Sequence, residues 1–131
     1  MNRGRGIELY AKMKDIQMYF GEKQVNSQYV VQKYIEKPLL YKGRKFDIRI
    51  WGLVTAKEQR LFLFKQGYMR TSSHGYDLEN KENINIHLTN NCLQVNDSSY
   101  GQHEQGNTLS LDHLASYVQA LVQEDPRLTV F

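Results

Sequence analysis

Residues 29–54 read YVVQKYIEKPLLYKGRKFDIRIWGLV, with a turn signal at Gly43. After this glycine, hydrophobic residues alternate with charged ones, the hydrophobic set being Phe46, Ile48, Ile50 and Val54. A period of two is typical of a strand that packs one face on a hydrophobic core. The charged residues Lys45, Asp47 and Arg49 would therefore share the opposite face. The stretch predicts a strand over residues 45–55 that presents charges of both signs on one side.

The predicted charged face has two interpretations. Same-face positions of a strand are about 6.5–7 Å apart, so the three charges would span about 13 Å. That length is comparable with a polyphosphate and its metal ion. The alternative is a solvent-exposed outer face whose ion pairs contribute little to stability. Spacing alone leaves both interpretations open.

The composition is that of a globular chain with a small basic excess. Of the 131 residues, 40% are hydrophobic, enough for a core, and 17 Lys or Arg against 14 Asp or Glu give a net charge of +3. A dedicated nucleic-acid-binding protein carries a denser basic stripe, although charge alone does not decide the partner. Aromatic platforms are not interleaved with the basic residues, so we expect no nucleic acid partner. Cys92 is the single cysteine, which excludes an intrachain disulfide. No hydrophobic run approaches the ~18 residues of a membrane span, so we expect a cytoplasmic protein without a membrane partner.

The N-terminal residues 2–6 read NRGRG. Glycines let a backbone approach an anion closely, and unpaired N–H groups in such a loop form an anion-binding concavity. A flexible tail and an Arg-Gly contact with nucleic acid are the alternatives. Residues 7–12 alternate between hydrophobic and polar side chains, so we expect a strand there.

The segment before Gly43 predicts a helix or turn and then a strand. Residues 13–28 carry an ambiguous pattern that favours a short helix or turn. Residues 29–35 are rich in β-branched and aromatic side chains and predict a strand, followed by an extended linker because Pro38 restricts Lys37. Such a segment can offer backbone N–H and C=O groups to a planar base, with Tyr34 or Ile35 packing on the base. An ordinary buried strand fits the spacing equally well.

Beyond the central strand, the pattern predicts a hairpin and then polar segments. Residues 56–59 are expected to form a polar turn and residues 61–66 the antiparallel return strand. Arg70 is expected at a strand end beside hydroxyl side chains, a setting that suits a carboxylate or phosphate; an ordinary surface arginine is the alternative. Residues 73–85 are polar and rich in turn formers, so we expect a loop long enough to be functional.

The last third of the chain predicts a side wall for a site and a scaffolding helix. Residues 87–91 form a compact polar cluster that could close a site from the side. Residues 99–107 are expected to be loop. Ser110 then caps a helix whose hydrophobic face consists of Leu111, Leu114, Val118, Leu121 and Val122. Asp125 and Pro126 are expected to end this helix.

Five segments occur in order along the chain: residues 3–7 (RGRGI), 32–40 (QKYIEKPLL), 43–49 (GRKFDIR), 67–73 (GYMRTSS) and 87–90 (HLTN). Together they resemble the motifs of the tubulin tyrosine ligase and tubulin tyrosine ligase-like family, a branch of the ATP-grasp ligases, in the order and spacing of that family. The resemblance implies an α+β fold, specifically a partial ATP-grasp fold with a mainly antiparallel sheet and flanking helices.

The resemblance also implies roles for individual residues. ATP and Mg²⁺ would be the cofactors, with the metal ligands beyond the C-terminal end of this chain. The adenine and the phosphates would be bound by Arg3, Gly4, Arg5, Gly6, Ile7, Gln32, Lys33, Tyr34, Ile35, Lys45 and Asp47. The catalytic residues would be Lys45, Asp47, Arg49 and Arg70. The substrates would be bound by Arg49, Arg70, Thr89 and Asn90.

The implied reaction joins a free amino acid to a tubulin C-terminal tail. A tail carboxylate is phosphorylated at the expense of ATP, and the amine of the amino acid displaces phosphate from this acyl-phosphate intermediate. Fixed Lys, Arg and Mg²⁺ would stabilise the negative charge that forms on transfer. The resemblance implies a monomeric cytoplasmic ligase that associates with the cytoskeleton, a ciliary location included.

The added amino acid stays open among tyrosine, glutamate and glycine. Residues 70–73 and 87–94 look closer to tyrosine ligase itself than to the glycine-adding members. The alternative function is that of a non-catalytic relative that binds tubulin or microtubules, or of an inactive truncated fragment.

The chain departs from the family pattern at both ends. The family carries a phosphate-binding lysine before the Arg-Gly loop, and an acidic residue and a Glu-x-Asn segment for Mg²⁺ beyond the end of this chain. We therefore expect an internal fragment, inactive by itself. Residues 1–40 would be the end of the central domain and the hinge, and residues 41–131 the start of the C-terminal domain.

Overall fold

The computed structural model describes residues 6–22, 28–57 and 59–125, which form an α+β arrangement with antiparallel sheets. The helices in these ranges are α1 (Met13–Glu22), α2 (Asn91–Gln94) and α3 (Leu111–Glu124). The strands are β1 (Leu40–Tyr41), β2 (Arg44–Arg49), β3 (Gly52–Val54), β4 (Leu61–Leu63), β5 (Tyr68–Gly75) and β6 (Thr108–Ser110). Two 3₁₀ turns span Ile84–Ile86 and Gln105–Asn107. The α+β class and the antiparallel pairing agree with the sequence-based expectation.

The main sheet is antiparallel throughout, with the order β1-β2-β5-β6. It begins with a hairpin that has a two-residue turn, in which Leu40 pairs with Lys45 and Tyr41 with Arg44. Lys42 and Gly43 both have positive φ, 49° and 75°. Two consecutive residues with positive φ form a turn whose twist matches the right-handed twist of the flanking strands. Glycine adopts a positive φ without a steric penalty. The predicted turn at Gly43 is confirmed.

The pairing of β2 with β5 separates a hydrophobic face from a polar face. Opposite residues of an antiparallel pair lie on the same side of a sheet. Phe46 lies opposite Thr71, and Ile48 opposite Met69, which is fully buried. On the other side, Asp47 lies opposite Arg70 and Arg49 opposite Tyr68. The prediction that Lys45, Asp47 and Arg49 occupy alternate positions of one strand is confirmed.

The strand predicted over residues 45–55 divides into two strands in different sheets. β2 ends at Arg49, and β3 begins at Gly52 and pairs only with β4 among the described residues. The chain returns to the main sheet at Gly67, where a Cβ atom would lie 2.9 Å from the Arg49 carbonyl oxygen and 3.3 Å from an Ile50 side-chain carbon. A side chain at Gly67 would therefore clash with the end of β2, which explains the glycine at this position. The hairpin itself is confirmed, with β4 shorter than the predicted strand over 61–66.

Two further predicted strands are absent from the described residues. Residues 7–12 and 29–35 have no strand pairing, and Val30 is 91% exposed. A strand requires a partner for its N–H and C=O groups, and neither segment pairs with a described strand. Side-chain pattern alone therefore misled both predictions. The short helix expected within residues 13–28 is confirmed as α1.

Arg70 lies inside a strand, which corrects its predicted place at a strand end. β5 continues to Gly75, so residues 73–75 belong to the sheet and the predicted loop begins only afterwards. Glu104 accepts a hydrogen bond from Thr71 and Gln94 accepts one from Ser73, so buried polar groups of this strand are satisfied.

The C-terminal helix is confirmed as α3. Ser110 is its N-cap residue, but the hydroxyl bonds His113 Nδ1 at 2.9 Å instead of a backbone N–H.

Polar side chains fill most of the interior of the described part. Its buried hydrophobic residues are Tyr41, Met69 and Ile86, whereas its buried polar residues are Arg44, Thr71, Ser72, Ser73, His87, Thr89, Gln94 and Asn107. No buried side-chain nitrogen or oxygen of the described residues lacks a hydrogen-bond partner. This satisfaction matters because an unpaired buried polar group costs about 1–3 kcal/mol.

One ion pair lies at an irregularity in the register between β2 and β5. Arg44 pairs with Gly75, but Phe46 pairs with Thr71, so β5 carries two extra residues at this point. The Arg44 guanidinium donates to the Ser72 carbonyl at 2.9 Å and makes a bidentate pair with Glu104 at 2.8 Å per bond. Thr71 also donates its hydroxyl to Glu104. Both charged side chains are nearly buried, with 6% and 11% exposure.

The Glu104 carboxylate is held in its charged form. Burial alone would raise the pKa of Glu104, but hydrogen bonds from Arg44 and Thr71, together with the Arg44 charge, outweigh burial and lower it. A folded-state pKa below the unfolded value means that the carboxylate contributes stability above about pH 4.5. This contribution is lost as the pH falls through the lowered pKa.

We predict that Glu104→Gln lowers the free energy of unfolding by about 3 kcal/mol at neutral pH, because it leaves the buried Arg44 charge unpaired. The difference from wild type should narrow as the pH falls below about 4.5. Urea unfolding monitored by circular dichroism at several pH values measures both effects. Glu79→Gln, at an exposed carboxylate, is the control and should change stability by less than about 0.5 kcal/mol. A loss that does not depend on pH would contradict the ion-pair explanation.

Candidate functional site

The candidate site lies on the polar face of the main sheet. Lys45, Asp47 and Arg49 reach this face from β2, and Tyr68 and Arg70 reach it from β5. Thr108 and Ser110 of β6 lie opposite Arg70 and Tyr68 and extend the same face. Three neighbouring strands thus present cations, one carboxylate and hydroxyls side by side. The sheet register places them, because each pair of opposite residues shares a side.

Asp47, Arg70 and Thr89 form the first cluster on this face. The Arg70 Nε donates to Asp47 Oδ1 at 3.0 Å, and Nη2 donates to Oδ2 at 2.6 Å. Thr89 donates its hydroxyl to Oδ1 at 2.5 Å. The two charged side chains keep 23% and 34% exposure, whereas Thr89 is buried. The hydrogen bond to Asp47 raises the pKa of Arg70 further, so its guanidinium is charged throughout the physiological range.

Lys45, Tyr34 and His87 form the second cluster. Lys45 Nζ donates to the Tyr34 hydroxyl at 2.9 Å and lies 4.2 Å from the centre of the Tyr34 ring. The same hydroxyl is 3.0 Å from His87 Nδ1, and the two rings meet edge to face. Burial lowers the pKa of Lys45, while the charge of Asp47 opposes this effect. The two clusters are linked twice, through β2 and through the short segment from His87 to Thr89.

Arg49 and Asn90 remain open to solvent or ligand. Arg49 is exposed, makes no ion pair with a described residue, and its guanidinium carbon lies 6.0 Å from the Trp51 ring centre. Asn90 precedes α2 and its carbonyl oxygen accepts the first bonds of that helix. Its side chain makes no hydrogen bond to the part of the chain that the structure describes. These two side chains have polar groups available on the rim of the site.

Residues 32–35, which the resemblance implies as the adenine-binding hinge, form an extended segment whose backbone groups are available to a ligand. Gln32, Lys33 and Ile35 are exposed, and only Tyr34 is half-buried. The backbone groups of these four residues make no hydrogen bond to other backbone groups of the described residues. Gly6 has a positive φ of 75° and Ile7 is exposed. The predicted phosphate-loop residues Arg3, Gly4 and Arg5 lie outside the described residues.

A cavity of about 590 Å³ opens beside Arg70 on the polar face. It is lined by Gly67, Tyr68, Arg70, Asn91, Tyr100, Gly106, Thr108, Leu109 and Ser110. Tyr100 donates its hydroxyl to the Asn91 side-chain oxygen at 2.7 Å across one wall. Tyr100 and Thr108 were absent from the sequence-based site, because Tyr100 lies in the predicted loop over 99–107 and Thr108 lies between that loop and the predicted cap Ser110.

His87 is the site residue that sequence reasoning missed most clearly. It belongs to the segment 87–90 that carried the resemblance, yet only Thr89 and Asn90 were given roles. In the structure His87 is buried, with 3% exposure. It contacts Tyr34, which lies 53 residues away in the sequence. The signal that could have found it is a histidine beside two assigned site residues.

Among the described residues, no group of three or more His, Cys, Asp or Glu side chains is placed to hold a metal ion. Asp47, the carboxylate that β2 places on the polar face, already accepts hydrogen bonds from Arg70 and Thr89. The described part also has no helix long and apolar enough to cross a bilayer.

A comparison with known protein families places the chain in a class of proteins. The model of the tubulin-tyrosine ligase family matches residues 1–128, so the chain belongs to that family. The resemblance stated from the sequence is confirmed.

Curated relatives give the same family. Tubulin glycylase 3D of Tetrahymena thermophila is 40% identical over 121 residues, which cover 89% of this chain and 12% of the relative. Tubulin glycylase 3A of Drosophila melanogaster is 41% identical over 97 residues, 70% of this chain and 9% of the relative. The probable alpha-tubulin polyglutamylase Ttll1 of Tetrahymena thermophila is 33% identical over 135 residues, 95% of this chain and 32% of the relative. The chain thus spans between about a tenth and a third of the length of these relatives.

We predict that Asp47 and Arg70 are energetically coupled. A double-mutant cycle with Asp47→Ala and Arg70→Ala should give a coupling energy of about 1–2 kcal/mol, since the pair is bidentate but partly exposed. The cycle with Asp47→Ala and Arg49→Ala is the matched control, because Arg49 flanks Asp47 on the same face without pairing. It should give less than about 0.5 kcal/mol. Urea unfolding of the six proteins measures both values, and equal coupling in the two cycles would contradict the assigned pair.

Proposed function

We propose that this chain is part of an ATP-dependent ligase that joins a free amino acid to a tubulin C-terminal tail. The observation that carries the proposal is the sheet face on which Lys45, Asp47, Arg49, Arg70 and Thr89 converge, in a chain that belongs to the tubulin-tyrosine ligase family. The relatives are named as tubulin glycylases and polyglutamylases, which supports tubulin as the substrate.

The residues present fit a nucleotide. The unpaired backbone of residues 32–35 can hydrogen-bond an adenine edge, and the Lys45 ammonium lies on the adjoining sheet face. ATP would supply the phosphoryl group that turns a tail carboxylate into an acyl phosphate. Lys45 and Arg49 would then bind the oxygens that gain negative charge, because fixed cations stabilise such charge without reorganising. The described residues offer no ligand set for Mg²⁺, so no role is assigned to them in metal binding.

Arg70 is proposed to bind the carboxylate of the incoming amino acid. Its Nε and Nη2 are bonded to Asp47, whereas Nη1 makes no hydrogen bond to a described residue. Asp47 would therefore orient the guanidinium by locking its plane, and the free edge would face the cavity lined by Tyr100 and Thr108. Thr89 would hold Asp47 from the other side, and Asn90 would bind substrate at the rim.

The identity of the added amino acid is proposed from the relatives. Their names point to glycine or glutamate, in contrast to the local likeness of residues 70–73 and 87–94 to tyrosine ligase. Association with the cytoskeleton follows from tubulin as substrate, and a ciliary location remains part of this proposal.

A chimera tests the proposal. Residues 6–125 replace the matching segment of Tubulin glycylase 3D of Tetrahymena thermophila, to which this chain is 40% identical. The chimera is incubated with tubulin, ATP and radiolabelled glycine, glutamate or tyrosine in parallel. Incorporation of one amino acid in an ATP-dependent manner is expected. Tubulin binding without incorporation of any of the three would instead support a non-catalytic, tubulin-binding relative.

We predict that Arg49→Lys in this chimera lowers the rate of ligation by about thirty- to a thousandfold, equivalent to about 2–4 kcal/mol. Lysine keeps the charge but loses the planar fork that a bidentate contact requires. Arg60→Lys, in the exposed β3–β4 turn, is the control and should cost less than about fivefold. Turnover with the preferred amino acid is measured alongside circular dichroism to verify the fold. A loss of less than about fivefold at Arg49 would indicate that this residue lies on an ordinary solvent-exposed face without a catalytic contact.

A further inference from the structure

Lys45 stands at one end of a chain of hydrogen bonds. The chain runs from Lys45 Nζ to the Tyr34 hydroxyl at 2.9 Å, and then to His87 Nδ1 at 3.0 Å. On the other side of the imidazole, His87 Nε2 lies 2.8 Å from the Asn80 carbonyl oxygen. Tyr34 belongs to the segment proposed to bind adenine, whereas His87 has no role in the proposed function.

The chemistry of its two ends fixes the direction of every bond. A carbonyl oxygen can only accept, so His87 Nε2 must carry a hydrogen and donate it to Asn80. An ammonium can only donate, so the Tyr34 oxygen accepts from Lys45. Tyr34 then has one hydrogen to donate, and His87 Nδ1 lies within hydrogen-bond distance as an acceptor. All three contacts are satisfied when His87 is the neutral tautomer with its hydrogen on Nε2.

The Tyr34 hydroxyl acts as an acceptor and as a donor at the same time. Burial, with the hydroxyl of Tyr76 as a further cause, raises the pKa of Tyr34, so the phenol keeps its hydrogen at neutral pH. The hydroxyl of Tyr76 donates to the Glu36 carbonyl at 2.8 Å, so toward Tyr34 it can act only as a second acceptor.

We propose that neutral His87, acting through the Tyr34 hydroxyl, is a positioning residue that holds the Lys45 ammonium in place on the polar sheet face. The role of that lysine toward phosphate rests on the function proposed above. A lysine side chain has four rotatable bonds, and holding its head in one place removes the entropy that would otherwise be lost on binding an anion. Two of the three ammonium hydrogens remain for a ligand. Tyr34 thereby connects the extended hinge to the lysine on β2.

The first test needs no ligase activity. Nitrogen-15 NMR of the 131-residue chain should show His87 with one protonated nitrogen, Nε2, and one unprotonated nitrogen, Nδ1. The Lys45 ammonium should give an observable signal because a held, hydrogen-bonded ammonium exchanges slowly with water. Lys42, which is exposed and lies 5.5 Å from the Tyr41 ring centre, is the internal control and should give none.

Three variants separate positioning from packing. Tyr34→Phe keeps the ring but removes the hydroxyl, so the Lys45 signal should be lost. His87→Leu removes the acceptor and should have the same effect, whereas His87→Asn keeps an acceptor near the Nδ1 position and should restore the signal. Tyr34→Phe changes a half-buried ring by one atom, so it decides the matter even if His87→Leu does not fold. A Nδ1–H or doubly protonated His87, or a Lys45 signal that survives Tyr34→Phe, would overturn the proposal.

The second test addresses the site. In the chimera, Tyr34→Phe and His87→Leu should lower kcat by about ten- to a hundredfold, the range expected when a reacting group is misplaced, and His87→Asn should recover most of the loss. Unchanged turnover in both variants would overturn the positioning role. A wild-type chimera that ligates nothing would refute the proposed function, while the NMR result would still decide whether His87 holds Lys45.

Discussion

The described structure depends on the pairing of polar groups along β5. Thr71, Ser72 and Ser73 are buried in succession on the central strand, where hydrophobic residues would be usual. Each has to find a partner, because a buried polar group without one is strongly destabilising. Gln94 accepts from the Ser73 N–H and hydroxyl at 2.9 and 2.7 Å, and it donates to the Asn85 and Leu88 carbonyl oxygens. A single amide thereby joins α2, the preceding turn and the sheet.

The same requirement places the site. The carbonyl of Leu88 is fixed by Gln94, so the residues on either side of Leu88 are fixed as well. His87 on one side bonds Tyr34, and Thr89 on the other bonds Asp47. The two clusters of the polar face therefore share one anchor beneath them. A substitution at Gln94 would disturb both, although Gln94 touches neither Lys45 nor Arg70.

Local features of the fold could be predicted from the sequence. The turn at Gly43 needed only a glycine between two strands, and the shared face of Lys45, Asp47 and Arg49 needed only the two-residue period of a strand. Helix α3 followed from the spacing of its hydrophobic residues. The motif order also gave the family, which the family model confirms.

Features that depend on distant contacts could not be predicted. Arg44 and Glu104 are 60 residues apart, and neither has a local pattern that reveals the pair. The division of the strand after Arg49 accompanies the pairing of β3 with β4 in a second sheet, which the alternating pattern of residues 45–55 does not reveal. Residues 29–35 have strong strand propensity but no strand partner among the described residues, so propensity was insufficient. The roles assigned to individual site residues remain predictions.

The polar interior has a consequence for how stability varies with temperature. The heat capacity rises when hydrophobic surface is exposed on unfolding and falls when polar surface is exposed. The described part has three buried hydrophobic residues and eight buried polar ones. The heat capacity increment of unfolding per residue should therefore be below that of an ordinary domain. A small increment makes the curve of free energy against temperature broad and flat. The hydrogen-bonded sheet face would then keep its geometry over a wide temperature range, without a steep loss of stability on cooling.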